Sequence, residues 1–158
     1  MNNLWDNANA LSIQVGAGIT GGFDVGFDDA IPEDTREALI QFIYWVEDHY
    51  NLPVTLWVDF KYRHYLVTRD KRRVGYKFYW ADFHTFPLFE NADDIPVIEL
   101  PVRMEYWTLE EILRSFVQAI TMYFAWLSNT AMEGFEPDET LVDEILKTYL
   151  NTQKGATP

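Results

Sequence analysis

The stretch from Thr108 to Ser128 constrains the fold more than any other part of the chain. Thr108 and Glu111 make the T-x-x-E pattern of a capping box, in which a hydroxyl and a carboxylate satisfy backbone N–H groups that a first helical turn leaves open. Apolar residues then recur at 109, 112, 113, 116, 117, 120, 123, 124 and 127. That spacing draws one unbroken apolar stripe along a long helix. Such a stripe needs a broad apolar surface to cover it, and the β-branched and aromatic runs upstream predict a sheet that supplies one.

Before this helix, Pro32 to Tyr50 predicts another. Pro32, Glu33 and Asp34 suit a first turn, and Ala38, Leu39, Phe42, Ile43 and Val46 share a face. Leu11–Val15 reads as a first strand and Val54–Phe60 as a strong one. Tyr62–Thr68 and Val74–Trp80 read as two more, joined by the polar turn Arg69-Asp70-Lys71-Arg72-Arg73. Residues 81–95, with Pro87 and the acids Glu90, Asp93 and Asp94, read as a long loop anchored by Phe83, Phe86, Leu88 and Phe89. Ile95–Val102 reads as a short strand near a sheet edge, because of its prolines. Pro137 opens a last helix with Leu141, Val142, Ile145, Leu146 and Tyr149 on its inner side, and residues 152–158 read as a flexible tail. The expected fold class is α+β: an N-terminal helix, a mixed or antiparallel sheet of three to five strands, a long central helix and a C-terminal helix. With 158 residues, one domain over 1–158 is expected, residues 1–31 forming a Gly-rich N-terminal segment.

That segment holds Gly16, Gly18, Gly21, Gly22 and Gly26. Gly16-x-Gly18-x-x-Gly21 matches a dinucleotide fingerprint by letter, but the fingerprint works only when its third glycine opens a helix facing the pyrophosphate. Here the chain runs into Gly22-Phe-Asp-Val-Gly26, poor helix material, and Asp24, Asp28 and Asp29 would repel phosphate. A flexible or β-turn segment is the expectation, with no cofactor.

The formal charge of −13 is uneven. Lys61 to Lys77 carries seven bases and one acid, while the other residues carry 24 acids and five bases. Arg69, Lys71, Arg72 and Arg73 are the densest part of this basic patch, which suits a solvated turn or a small acidic partner. The acidic remainder repels a long polyanion, so a nucleic-acid role is not expected. No basic segment precedes an apolar run at the N-terminus, and Gln118 and Thr121 interrupt the longest apolar stretch, so no signal peptide or membrane span is expected and a cytoplasmic location follows. The absence of Cys excludes disulfides, thiolate zinc sites and cysteine nucleophiles. None of the three serines lies in a G-x-S-x-G turn, and no Walker loop occurs.

Three histidines remain. His49 ends a helix, where a cation is favourable, and His64 sits among bases. Asp82 and His84 are two apart, so on a strand they would share a face and could hold a metal with His64 or nearby carboxylates. No third ligand can be named from spacing.

The long helix has an unusual second face: Glu111, Ser115, Gln118, Ala119 and Met122 are small, soft or weakly polar rather than a Lys/Glu solvent face. Such a face is either covered or lines a cleft. The stretch Ser115-Phe-Val-Gln-Ala-Ile-Thr-Met-Tyr-Phe-Ala-Trp126 resembles the active-site helix of small zincin-type metallopeptidases, where H-E-x-x-H is followed by aromatics as Tyr123, Phe124 and Trp126 follow here. The order of upstream elements is similar too. In register, Gln118 stands at the first His position, Ala119 at the Glu and Met122 at the second His. Gln is a poor zinc ligand, Ala moves no proton, and a thioether suits softer metals. The resemblance therefore implies a zincin-like core without catalytic zinc, acting by binding a protein or peptide partner through the Gln118/Met122 face. Two other readings stay open: a metal-dependent hydrolase using His64, His84 and carboxylates, and an acidic inhibitor or immunity-type protein docking on a basic partner. The aromatic content suggests a homodimer.

Overall fold

The computed structural model of the chain describes residues 21–63, 66–67, 73–74, 81–87, 94–129 and 136–156. The elements in chain order are β1 (Phe23–Phe27), α1 (Glu33–His49), β2 (Leu56–Lys61), β3 (Leu66–Val67), β4 (Arg73–Val74), β5 (Asp82–Pro87), β6 (Asp94–Pro101), α2 (Leu109–Leu127) and α3 (Glu139–Ala156). The architecture is α+β: a four-stranded mixed sheet in the order β1-β2-β6-β5, accompanied by helices, with β3 and β4 as a separate antiparallel pair. β1, β2 and β6 run parallel, and β5 runs antiparallel to β6.

Alternation decides which residues of the sheet face the helices. Val25, Leu56, Val58, Phe60, Ile98 and Leu100 are fully buried and belong to the core, with Phe23, Phe27 and Phe83 packed against it. Phe116 of α2 lies at the centre of this face. Its ring sits 5.9 Å from Phe23, 5.6 Å from Phe60 and 5.5 Å from Phe42 of α1. Phe42 in turn meets Tyr149 of α3 edge-on at 4.8 Å. The three helices thus meet on one side of the sheet.

The predicted capping box at Thr108 forms in full. Thr108 Oγ1 accepts from the Glu111 N–H at 3.1 Å, and the Glu111 carboxylate accepts from the Thr108 N–H at 3.0 Å. α2 stops at Ser128, where Asn129 takes a left-handed conformation with φ 59°. Tyr123, wholly buried near the end of α2, donates its hydroxyl to the Val54 carbonyl and accepts from the Val54 N–H, pinning the helix to the approach of β2. Burial pushes the Tyr123 phenol up to about 12.

Several sequence expectations change. The glycine-rich segment becomes strand β1 from Phe23 onward. Gly21 and Gly22 have φ 95° and 78°, and a Cβ on Gly21 would lie 2.3 Å from the Leu52 carbonyl oxygen. The glycines thus let the chain enter β1 hard against residues 52–55, bonded through Gly22 N–H to Leu52 O and Leu56 N–H to Gly22 O. The loop expected over 81–95 contains strand β5. β6 is central rather than an edge strand: its ladder with β2 begins at Val97 and closes at Pro101, so Pro96 lies just before it and neither proline interrupts it. Leu141, expected inside, is exposed, and α3 continues through Ala156. Leu11–Val15 lies outside the described residues, as does most of Val74–Trp80.

Candidate functional site

The sheet face opposite the helices carries the charged residues. Asp59 of β2, Glu99 of β6 and Asp82 of β5 stand side by side across three strands, Asp59 opposite Glu99 and Glu99 opposite Asp82. Like charges placed directly across a ladder destabilise it unless a cation answers them. Two do so here. Lys61, two residues along β2, reaches Asp59 with Nζ 2.7 Å from Oδ2. His84, two residues along β5 from Asp82, lies between the other two acids. Its Nδ1 is 2.9 Å from Asp82 Oδ2 and its Nε2 is 3.7 Å from Glu99 Oε1. The side chains of Asp82, His84 and Glu99 are 15%, 20% and 33% exposed, so a small solute can reach them. One ligand atom from each of the three falls within 4.8 Å of the others.

The Asp82/His84 pair singled out from spacing is therefore brought together on one strand face, and Glu99 is the partner the spacing did not reveal. His64, the other candidate ligand, lies outside the described residues, as do Arg69, Lys71 and Arg72 of the basic patch; Arg73 opens β4.

A second polar cluster forms beyond the carboxyl ends of the parallel strands. The guanidinium of Arg103 lies 4.4 Å from the centre of the Tyr62 ring and 5.5 Å from that of Tyr106. The same guanidinium is paired with Glu105, which also accepts from the Tyr62 hydroxyl at 3.0 Å. The Arg103 bond, reinforced by that of Tyr62, holds the Glu105 carboxyl below its ordinary range, and the shared carboxylate raises the Tyr62 phenol. Backbone bonds close the turn: Tyr106 N–H and Trp107 N–H both donate to Arg103 O, at 2.9 and 3.0 Å. On this turn Met104 and Tyr106 are 42% and 51% exposed. Asp28, after β1, accepts from the N–H groups of Ala30 and Tyr62, and these bonds, led by that of Ala30, lower its carboxyl.

The α2 face singled out from the sequence is divided. Ser115 and Ala119 are 1% exposed, while Gln118 and Met122 are half-buried. Gln118 Nε2 donates to Glu139 Oε1 of α3 at 2.9 Å, and Arg114 pairs with both Glu139 and Asp143. Glu111 is exposed, but its carboxylate is engaged in the capping box. Two of the five residues are thus buried, one is bonded to α3 and one is held in the capping box.

Among the described residues no helix is long and apolar enough to cross a membrane. Comparison with protein-family models, curated proteins and solved structures finds no match.

Proposed function

We propose that this chain is a non-catalytic binding domain with a zincin-like arrangement of elements, and that it engages a protein or peptide partner at the 103–106 turn. The observation that carries this reading is the turn itself. Met104 and Tyr106 stand exposed on a loop already held by the Arg103–Tyr62 stack, the Arg103–Glu105 pair and two backbone bonds. Tyr and Arg supply a large share of binding energy at protein interfaces, and a surface that is rigid beforehand loses little entropy when it docks. The non-catalytic half of the reading is supported by α2: at its H-E-x-x-H register, Ala119 is buried and Gln118 is bonded to Glu139.

The experiment is a quantitative comparison of what wild-type protein and a Met104→Ala/Tyr106→Ala variant retain from the source cells. A protein retained by the wild type and lost by the folded variant is expected; identical retention overturns the docking site. Metal analysis of protein purified without chelator tests the other half. Stoichiometric zinc that survives Glu99→Gln and is lost with Gln118→Ala/Met122→Ala would overturn it.

The acidic-inhibitor reading has its own observation. Glu33, Asp34, Glu37, Glu47 and Asp48 on α1, and Glu139, Asp143 and Glu144 on α3, are all exposed. Salt separates the two modes: association through these acids weakens steeply as salt rises, whereas docking through Tyr106 and Met104 does not.

A further inference from the structure

We infer that Asp82, His84 and Glu99 form a site for one first-row divalent cation of the manganese-to-zinc group, on the sheet face turned away from the helices. The site lies apart from the α2 register and the 103–106 turn, so it stands or falls independently of the proposed function.

The argument begins with the register. β5 and β6 are antiparallel, which places Asp82 directly opposite Glu99, and the two-residue repeat of a strand brings His84 to the same face as Asp82. Three side chains from two adjacent strands therefore converge without any loop, within the four-stranded sheet. Donors built on strands hold their geometry better than donors built on loops.

The donor set selects the ion. One imidazole with two carboxylates suits Mn²⁺, Fe²⁺, Co²⁺ and Zn²⁺; an all-oxygen set would favour Ca²⁺ or Mg²⁺, and a thiolate or thioether set would favour softer ions. Two donors that each lie roughly 2.0–2.2 Å from a common ion are about 3.0–3.5 Å apart. The 3.7 Å between His84 Nε2 and Glu99 Oε1 exceeds that by only a few tenths of an ångström, within reach of a small rotation of the Glu99 side chain. At 2.9 Å, the contact from Asp82 to His84 Nδ1 has the length of a hydrogen bond. A carboxylate so placed fixes the ring orientation and directs Nε2 toward the ion. The geometry thus assigns His84 and Glu99 as ligands and Asp82 as the positioning residue, with water completing the coordination. The charge arrangement agrees: Lys61 answers Asp59 at one end of the acidic row, and a dication between Glu99 and His84 would relieve the crowding of Glu99 and Asp82 at the other.

The test is calorimetric titration of the chelator-stripped full chain with MnCl₂ and, separately, ZnCl₂. One ion per chain is expected. His84→Ala and Glu99→Gln should abolish saturable binding, Asp82→Asn should weaken it about 10–100-fold, and Glu110→Gln, an exposed acid on α2, should leave it unchanged. Broadening of the His84 ring signals by substoichiometric Mn²⁺ in the wild type provides a readout that needs no variant. Absence of saturable binding, absence of broadening, or undiminished binding in His84→Ala and Glu99→Gln would each overturn the site.

Discussion

The two faces of the same four strands behave oppositely. On the helix side the inward positions of β1 and β2 are apolar, as are Phe83, Ile98 and Leu100, and one residue, Phe116, packs against Phe23, Phe60 and Phe42 at once. On the other side Asp59, Lys61, Asp82, His84 and Glu99 meet as charged and polar groups, beside the buried Trp57 and Val97. One face gains free energy from area removed from water; the other sets three carboxylates side by side, with Lys61 paired to Asp59 and His84 bonded to Asp82. The first face forms the core shared with the helices, and the second carries the candidate chemistry. Substitutions on the two sides should therefore differ in size and in kind.

The largest expected effect is at the centre of the packed face. Phe116→Ala removes a fully buried ring and should lower unfolding free energy by about 3–5 kcal/mol, read from the urea midpoint. A loss under 1 kcal/mol would break the contrast between the faces.

Tyr123 sharpens it with pH. Its folded pKa is raised to about 12 from the ordinary tyrosine value of 10.0, so the unfolded chain releases this proton first. The phenol's contribution is complete below pH 10 and is lost as pH climbs from 10 through about 12, amounting to about 3 kcal/mol at most. Tyr123→Phe, which also forfeits the bonds to Val54, should cost about 1–3 kcal/mol at pH 8 and reduce this alkaline loss. Urea titrations of both proteins at pH 8 and pH 11 check the sign.

Thr108→Ala should cost about 1 kcal/mol by opening the capping box, since the Glu111 N–H loses its hydroxyl acceptor. Thermal melts suffice to measure it.

The smallest effect belongs to the charged face. In metal-free buffer, Glu99→Gln should change stability by less than about 1 kcal/mol in either direction, because it removes a like charge opposite Asp59 and Asp82 together with a partly exposed contact to His84. A loss as large as that of Phe116→Ala would mean that Glu99 supports the fold itself.

Legibility in the sequence follows the range of each signal. The capping box at Thr108, the stripe of α2 and the acidic first turn of α1 lie within a few residues of one another, and the structure forms them where the spacing predicts. The Asp82/His84 pair could be noticed because its members are two residues apart. Glu99 could not, because seventeen positions separate it from Asp82 and only the β5–β6 ladder sets them opposite. The same holds for α2's second face. Its small, soft residues signal a covered or concave surface, but that Glu139 takes Gln118 depends on where α3 returns.

By itself, then, the sequence determined an α+β chain with a capped, striped helix and no cysteine chemistry, because periodicity and caps act within a turn or a strand. The tertiary structure alone decided that the Pro-flanked β6 is central, that Gly21 and Gly22 serve a close backbone approach, and that Asp82, His84 and Glu99 converge. Each of those outcomes depends on which strand neighbours which, and strand neighbours are chosen by burial of the whole apolar face rather than by any residue's local preference.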